Sequence, residues 1–399
     1  MSVNSMSFND ASALLNEVRK QMTGETAIAP INEEEFVKVG TTLLQTGYDQ
    51  LNTAISQVIA RTVWAVRNYG SQFPGLIRDE IKWGGIVRKI TEIDGDFEPD
   101  LGMDATAMEN GKTLDPFKIN RKTQVQFNFY GGTTLEYCDT LTEDQMDQCM
   151  SSSAEFGSYM AAHMQALNNQ FVEKRDAETQ LTLLNLIGAV VTDGTNCIHL
   201  LTEYKAETGN TTITRANLFS DAEFVPFAKW MYSRLNTLIN RMGVRSAKYH
   251  IPVTTYNGKP LLHPIKRFTP RINLSVYMLD AFMQKINASV LSSVYNKELL
   301  SVGDYNSVKF WQAIDAPDSI DVTPNVLQSD GTVIKATKTV TSSDVIGVFF
   351  DEEAAGVTTF NEGVRPQYNA RGRYYNNWYN WKIRSMNDQS ENAIVLMLD

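Results

Sequence analysis

The sequence predicts an α+β fold, and three observations carry that reading. The stretch from Pro366 to Arg384 (PQYNARGRYYNNWYNWKIR) is the densest aromatic run in the chain and reads as a long strand. From Tyr375 onward it alternates with period two: Tyr375, Tyr379, Trp381 and Ile383 fall on one side, with Asn377 the exception, and Asn376, Trp378, Asn380, Lys382 and Arg384 on the other. Ser152-Ser153-Ala154-Glu155 has the form of a capping box and opens a run to Ile187 with no proline and no glycine after Gly157. At 1.5 Å per residue that helix would be about 50 Å long. Glycine-punctuated sequence from Phe73 to Asn128 reads as a long two-stranded excursion, which buries little on its own and needs support from elsewhere.

The remaining elements follow in chain order. Leu14, Leu15, Val18 and Met22 lie at helical spacing between the cap-type residues Asn9 and Asp10 and a stop at Gly24. From Glu33 to Tyr69, Leu51, Ile55, Val58, Ile59, Val63 and Val66 repeat at three and four residues, with breaks expected at Gly40 and Gly47. Helices tied by loose linkers at an amino terminus fit an arm that drapes over a neighbour. The excursion's return strand, Lys122 to Leu135, sets Val125, Phe127 and Phe129 against Gln124, Gln126 and Asn128 before Gly131-Gly132. Thr142-Glu143-Asp144-Gln145 is a second capping box, and Met160, Met164, Leu167, Phe171, Leu181 and Leu184 mark a stripe along the long helix.

Beyond it, Asp221 to Arg241 is a helix carrying Phe224, Phe227, Met231, Leu235 and Leu238. Asn273 to Met278 is a strand leading into a helix at Asp280 to Ile286. Two short strands are expected in LLSVGDYNSVKFWQA, joined at Gly303 and Asp304, with further strands at Lys335 to Val340, Val345 to Phe350 and Ala393 to Leu398.

Composition bounds the function. The chain has 399 residues, 43% of them hydrophobic, enough for a large core divided into two or three domains. Lys and Arg number 36 against 46 Asp and Glu, a net charge of -10, which argues against reading the aromatic strand as a base-stacking nucleic-acid platform. Two readings of that strand then stay open: a surface that meets another chain, and a plain core strand. The cysteines Cys138, Cys149 and Cys197 have no regular spacing and read as reduced thiols in a cytoplasmic setting. No signal peptide is recognisable, and the apolar stretch Leu181 to Val191 is too short to span a bilayer, so a soluble protein with no membrane partner is expected.

Catalytic patterns are missing. His163, His199, His250 and His263 form no HExxH, Cys197 and His199 stand too close for paired zinc ligands, and no GxGxxG, GxxxxGK[ST] or GxSxG occurs. Asp351-Glu352-Glu353 reads as a solvated turn. No catalytic, cofactor or metal residue is therefore named, and an enzyme is not expected.

The arm segment VGTTLLQTGYDQLNTAISQVIARTVWAVRNY, the segment TPRINLSVYMLDAFMQKINASVL and above all NARGRYYNNWYNWKIRSMNDQSENAIVLML resemble the major capsid proteins of tailed phages, the Hong Kong 97 fold. The resemblance is closest to the head proteins of small short-tailed phages and is spread over most of the chain.

It implies an amino-terminal arm and helices at 1–74, an extended loop at 75–128, and a peripheral domain at 129–191 whose spine helix is Ser153 to Ile187. An axial domain at 192–345 and return strands of the peripheral domain at 346–399 complete the order. It further implies a subunit that assembles with itself, in hexamers and pentamers, into an icosahedral shell around double-stranded DNA, which it contacts non-specifically. A separate scaffolding protein, a portal, assembly in the host cytoplasm and residence in the virion belong to the same implication. The alternatives are an encapsulin-like nanocompartment shell and, less well supported, an uncharacterised enzyme. Candidate contact or hinge residues are Gly84 and Gly85 in the loop and Trp378, Lys382 and Arg384 on the strand face opposite the core.

Overall fold

The computed structural model describes residues 6–24, 29–65, 73–77, 87–95, 117, 119, 123–129, 132–293 and 305–399. Helix α1 (Phe8–Thr23) starts at Ser7, whose hydroxyl accepts from the Asp10 amide at 3.3 Å, and stops at Gly24, whose φ of 73° is left-handed. The cap is thus Ser7 and not Asn9 or Asp10. Helices α2 (Glu33–Thr46) and α3 (Tyr48–Ala65) are separated at Gly47, where φ is 133°. Gly40, expected as a second break, lies inside α2: a Cβ there would stand 3.3 Å from Met150, so the glycine allows close packing.

Strands β1 (Val87–Glu92) and β2 (Gln124–Phe129) form an antiparallel ribbon, paired from Val87 with Phe129 to Glu92 with Gln124. Strand β3 (Thr133–Thr142) runs into α4 (Glu143–Cys149), where Thr142 and Gln145 complete the expected capping box. Helix α5 (Ser153–Asp193) has 41 residues and outruns its expected end at Ile187. Its first turn is held by Glu33, which accepts from the Ser153 amide at 2.6 Å and hydroxyl at 2.5 Å, placing a carboxylate at the positive end of the helix. Gly188 lets the helix continue past tight neighbours, since a Cβ would meet Val322 at 3.0 Å and Pro324 at 3.2 Å.

Strand β4 (Cys197–His199), helices α6 (Leu200–Thr208), α7 (Arg215–Leu218) and α8 (Asp221–Met242), and the short pair β5 (Thr255–Tyr256) and β6 (Lys259–Pro260) follow. Strand β7 (Leu274–Leu279) leads into α9 (Asp280–Ser293), as the sequence predicts, and β8 (Asn306–Val308) comes next. Gly303 and Asp304, the expected turn before it, lie outside the described residues. The next strands are β9 (Ile320–Val322), β10 (Asn325–Leu327), β11 (Val333–Lys335) and β12 (Val340–Ser342). The single strand expected at Lys335 to Val340 is instead the end of β11 and the start of β12, which pair with different partners, β10 and β9. Strands β13 (Val345–Asp351), β14 (Ala355–Asn369), β15 (Tyr374–Asn387) and β16 (Ala393–Met397) complete the chain.

The chain divides into two compact units. Unit 1 comprises Met1–Trp83, Gly131–Thr179 and Val357–Ser385, with the antiparallel sheet β14-β15-β3. One apolar cluster joins Leu15 and Val18 of α1, Phe36 of α2, Leu51 and Ile55 of α3, Phe156, Met160 and Phe171 of α5, and Tyr379, Trp381 and Ile383 of β15. The amino-terminal helices therefore have their apolar faces buried within the subunit.

Unit 2 comprises Gly84–Tyr130, Gln180–Gly356 and Met386–Asp399, with the sheet β4-β16-β13-β7-β8. All seven residues of β13 and all five of β16 are buried. These strands pair with each other and with β7, so 346–356 and 386–399 belong to unit 2, a division that differs from the one expected from sequence. The stripe on α5 changes with the unit as well. Leu167 and Phe171 are buried in unit 1 and Leu183, Leu186 and Ile187 in unit 2, while Leu181, expected in the stripe, is 59% exposed. The buried row therefore does not run unbroken along the helix, and Leu181 falls off it.

Candidate functional site

One face of the unit 1 sheet is buried against helices, and among the described residues the other is covered less completely. Along β15 burial alternates as the sequence predicts: Tyr375, Tyr379, Trp381 and Ile383 are buried, and Asn376, Trp378, Asn380 and Lys382 are half-buried. Trp381 meets Phe171 of α5 edge to face at 5.4 Å between centroids. Tyr375 instead donates its hydroxyl to Asp49 of α3 at 2.7 Å, so the inner face of the strand is shared by two helices. Asn377, the polar residue on the apolar side, is fully buried and exchanges two amide hydrogen bonds with Asn52 at 2.8 and 3.1 Å. The exception is thus a satisfied polar pair.

On the open face Trp378 stands opposite Cys138 and Lys382 opposite Thr134, with Asn376 accepting from Thr140 at 2.7 Å. Glu136, opposite Asn380, is exposed on the same face, so the half-buried indole stands among amides, hydroxyls, a thiol, one carboxylate and one ammonium. Arg384 does not belong to that face. The alternation breaks after Ile383, and Arg384 is buried with its guanidinium 4.7 Å above the Phe360 ring. Gly84 and Gly85 lie outside the described residues.

A second constellation, in unit 2, was not foreseen. Lys89 of β1 projects its ammonium to Glu353 at 2.8 Å, Asp388 at 3.1 Å and Glu391. Arg267 holds Glu391 at 3.1 Å and donates to Thr91 of the same strand at 3.0 Å. Arg245 pairs with Asp94 at 2.7 Å, and the Tyr256 hydroxyl bonds both the amide and the carbonyl of Gln126 on β2 at 3.2 Å. A polar cavity of about 350 Å³ adjoins the cluster, lined by Thr91, Asp94, Arg245, Arg267, Glu353 and Glu391 among others.

Burial disfavours charge on Lys89, but Asp388 and Glu391 outweigh it and hold the ammonium above its ordinary pKa. Burial raises Glu391, and the neighbouring Asp388 adds to that against the help of Arg267 and Lys89. Both directions follow from a cluster with three carboxylates and two cations.

Two of the carboxylates come from a polar segment between strands β15 and β16. Asp388-Gln389-Ser390-Glu391-Asn392 is polar throughout, yet all five residues are buried. Gln389 bonds Leu327 at 2.7 Å and Asn325 at 2.5 Å, and Asn392 donates to Thr269 at 3.0 Å. The turn at Asp351 to Glu353 is likewise only partly solvated, since Asp351 accepts from Thr269 at 2.7 Å. Five consecutive polar residues immediately before an all-apolar strand were the available signal: a turn leading into a central strand lies at the core.

The remaining sequence candidates sit apart. The His199 imidazole contacts Asp399 at 2.7 Å and the Cys197 thiol contacts Met397 at 3.1 Å, whereas His163 bonds Asp139 at 2.6 Å in unit 1. Among the described residues no three His, Cys, Asp or Glu side chains gather in a metal-binding group, and no helix is long and apolar enough to cross a membrane.

Residues 15–397 match the family model described as Phi29-like phage major capsid protein. Among solved structures, the chain resembles one in the capsid structure of Staphylococcus phage Andhra, with 12% identity, TM-score 0.52, and 83% of this chain and 84% of that chain covered. It also resembles one in the structure of head fiber and inner core protein gp22 of native bacteriophage P68, with 12% identity, TM-score 0.50, and 83% and 85% covered. At such identities the likeness establishes the fold. No curated protein sequence matches the chain.

Proposed function

The chain belongs to the Phi29-like phage major capsid protein family and is a structural capsid subunit of the virion, and from that premise we propose how it builds the shell. Copies associate as hexamers and pentamers into an icosahedral head around double-stranded DNA, in the host cytoplasm, with a separate scaffolding protein and a portal. The family match over 15–397 carries this reading, since it spans both units. The subunit does no covalent chemistry; packing between copies replaces catalysis, and closed symmetry multiplies modest interfaces. A net charge of -10 suits a wall that encloses DNA without gripping it.

Trp378 and Lys382 on the open face of unit 1 are the contact residues of this reading, and the β1–β2 ribbon lies over a neighbouring copy. Sedimentation and electron microscopy of the purified chain should give closed shells; only monomers or dimers under all conditions, scaffolding protein included, would remove the reading. Trp378→Ser should lower particle yield while leaving the unfolding transition of the subunit in place. Unchanged yield would sink the interface assignment.

A further inference from the structure

We propose that Lys89 is the positioning residue that fixes the register of the β1–β2 ribbon on unit 2, so that the ion cluster around it serves the geometry of assembly more than the stability of the subunit. The inference rests on the ribbon being a contact element of the shell. The ribbon has two sides with different demands. Ile93, Val125 and Phe127 are buried in an apolar cluster with Ile251, Val253 and Ile265, whereas Arg88, Ile90 and Glu92 on the other side are exposed. Lys89 and Thr91 share the inward side: Lys89 faces Asp388 and Glu391, whose side chains are 2% and 7% exposed, and Thr91 accepts from Arg267.

Only one register satisfies both demands. A slip of one residue would offer Arg88 to the carboxylates but turn Val125 and Phe127 to solvent, because side chains alternate with period two. A slip of two residues would keep the apolar side inward but place Val87 or Thr91 against the carboxylates, leaving Glu391 with Arg267 and taking from Asp388 the ammonium it pairs with. Tyr256 sets the same register on β2 through both backbone groups of Gln126. Buried ion pairs add little net stability once desolvation is counted, and their best-attested use is to exclude alternative arrangements.

The test compares Lys89→Met, the double variant Lys89→Met/Glu391→Gln and Lys89→Arg by three readouts: unfolding midpoint, hydrogen exchange of amides 87–94 and 124–129 in free subunits, and the fraction of closed particles in micrographs. Lys89→Met should lower the midpoint, speed ribbon exchange by about tenfold or more and abolish closed particles. The double variant removes a whole ion pair and should recover the midpoint while ribbon exchange stays fast and particles stay open. Lys89→Arg should restore all three towards the unaltered chain.

Normal closed particles or slow ribbon exchange in the double variant would overturn the proposal. Failure of both Met variants to fold would do so too, because it would make the cluster a stability element. If the unaltered chain itself forms no particles, the shell reading fails, and ribbon exchange in free subunits still decides this one.

Discussion

The two sheets of this subunit differ in how many faces they bury, and the difference separates a sheet that only holds the subunit together from one with a face available for the contact proposed above. In unit 2 every residue of β13 and β16 is buried, and the sequence shows it as unbroken apolar runs, VIGVFF and AIVLM. In unit 1, β15 is as long as 14 residues yet buries mainly alternate side chains, and its outer row includes Trp378. A sheet sealed on both faces has no surface to offer. A sheet sealed on one face has a broad one, and here that face bears an indole that a purely solvated strand would not need.

The largest effect that would sharpen this contrast is expected in the sealed sheet. Phe349 of β13 is fully buried, so Phe349→Ala should cost about 3–5 kcal/mol, measured by chemical unfolding of the free subunit. A loss below about 1 kcal/mol would mean that the centre of the sheet can collapse around the cavity or is not sealed. Next comes the covered face of the open sheet. Trp381→Ala removes a buried ring and its contact with Phe171, and should destabilise by a similar amount, whereas Trp378→Ser three residues away should cost far less. Equal losses at the two positions would erase the distinction between the faces.

Two carboxyl groups, one in each unit, should respond to acid with opposite sign. Hydrogen bonds from Ser153, hydroxyl first and amide second, hold Glu33 in unit 1 below its ordinary pKa. Its contribution is therefore present above the unfolded value and lost as pH falls through the folded one. Glu391 in unit 2 is raised, chiefly by burial, so its contribution is full below the unfolded value and lost as pH rises through the folded one. Unfolding midpoints measured from about pH 3 to pH 7 should thus lose an acid limb in Glu33→Gln and gain relative stability towards neutrality in Glu391→Gln. The same direction of change in both variants would contradict the assignment.

How much of this was legible in the sequence depended on whether one local rule or two acted on a residue. The long helix, the capping box of α4, the inner row of β15 and the break at Gly47 each follow from a single periodicity or a single backbone requirement, and all are found. The family resemblance is likewise borne out by the match over 15–397. Leu181 was misplaced because a single stripe was drawn through a helix whose residues are divided between two units, each burying its own set of side chains. Arg384 was misplaced because period two stops at Ile383, and a buried guanidinium over Phe360 has no sequence signature distinct from an exposed one.

The Lys89 cluster was invisible for a different reason. Its cations and carboxylates are separated by up to 302 positions, and each sits in a segment that reads as exposed when taken alone. Trp378 was legible as unusual, and the assembly role proposed for it is decided by particle yield, not by local sequence.

The smallest effect is expected at the margin of the open sheet, where a local hydrogen bond and not a core is removed. Thr142 ends β3, pairs with Tyr374 of β15 and caps α4 by accepting from the Gln145 amide at 3.2 Å, while the Gln145 side chain accepts from the Thr142 amide at 3.0 Å. Thr142→Ala removes the first of these bonds and leaves the strand pairing and the second bond in place, so it should cost about 1 kcal/mol, typical of a lost amino-terminal cap. Because α4 connects this edge strand to the turn before α5, the change should also speed amide exchange in 143–149 without altering that of β13. Were β13 to exchange faster too, the two sheets would share one cooperative unit, and the division between a sealed unit and an open one would describe burial without describing stability.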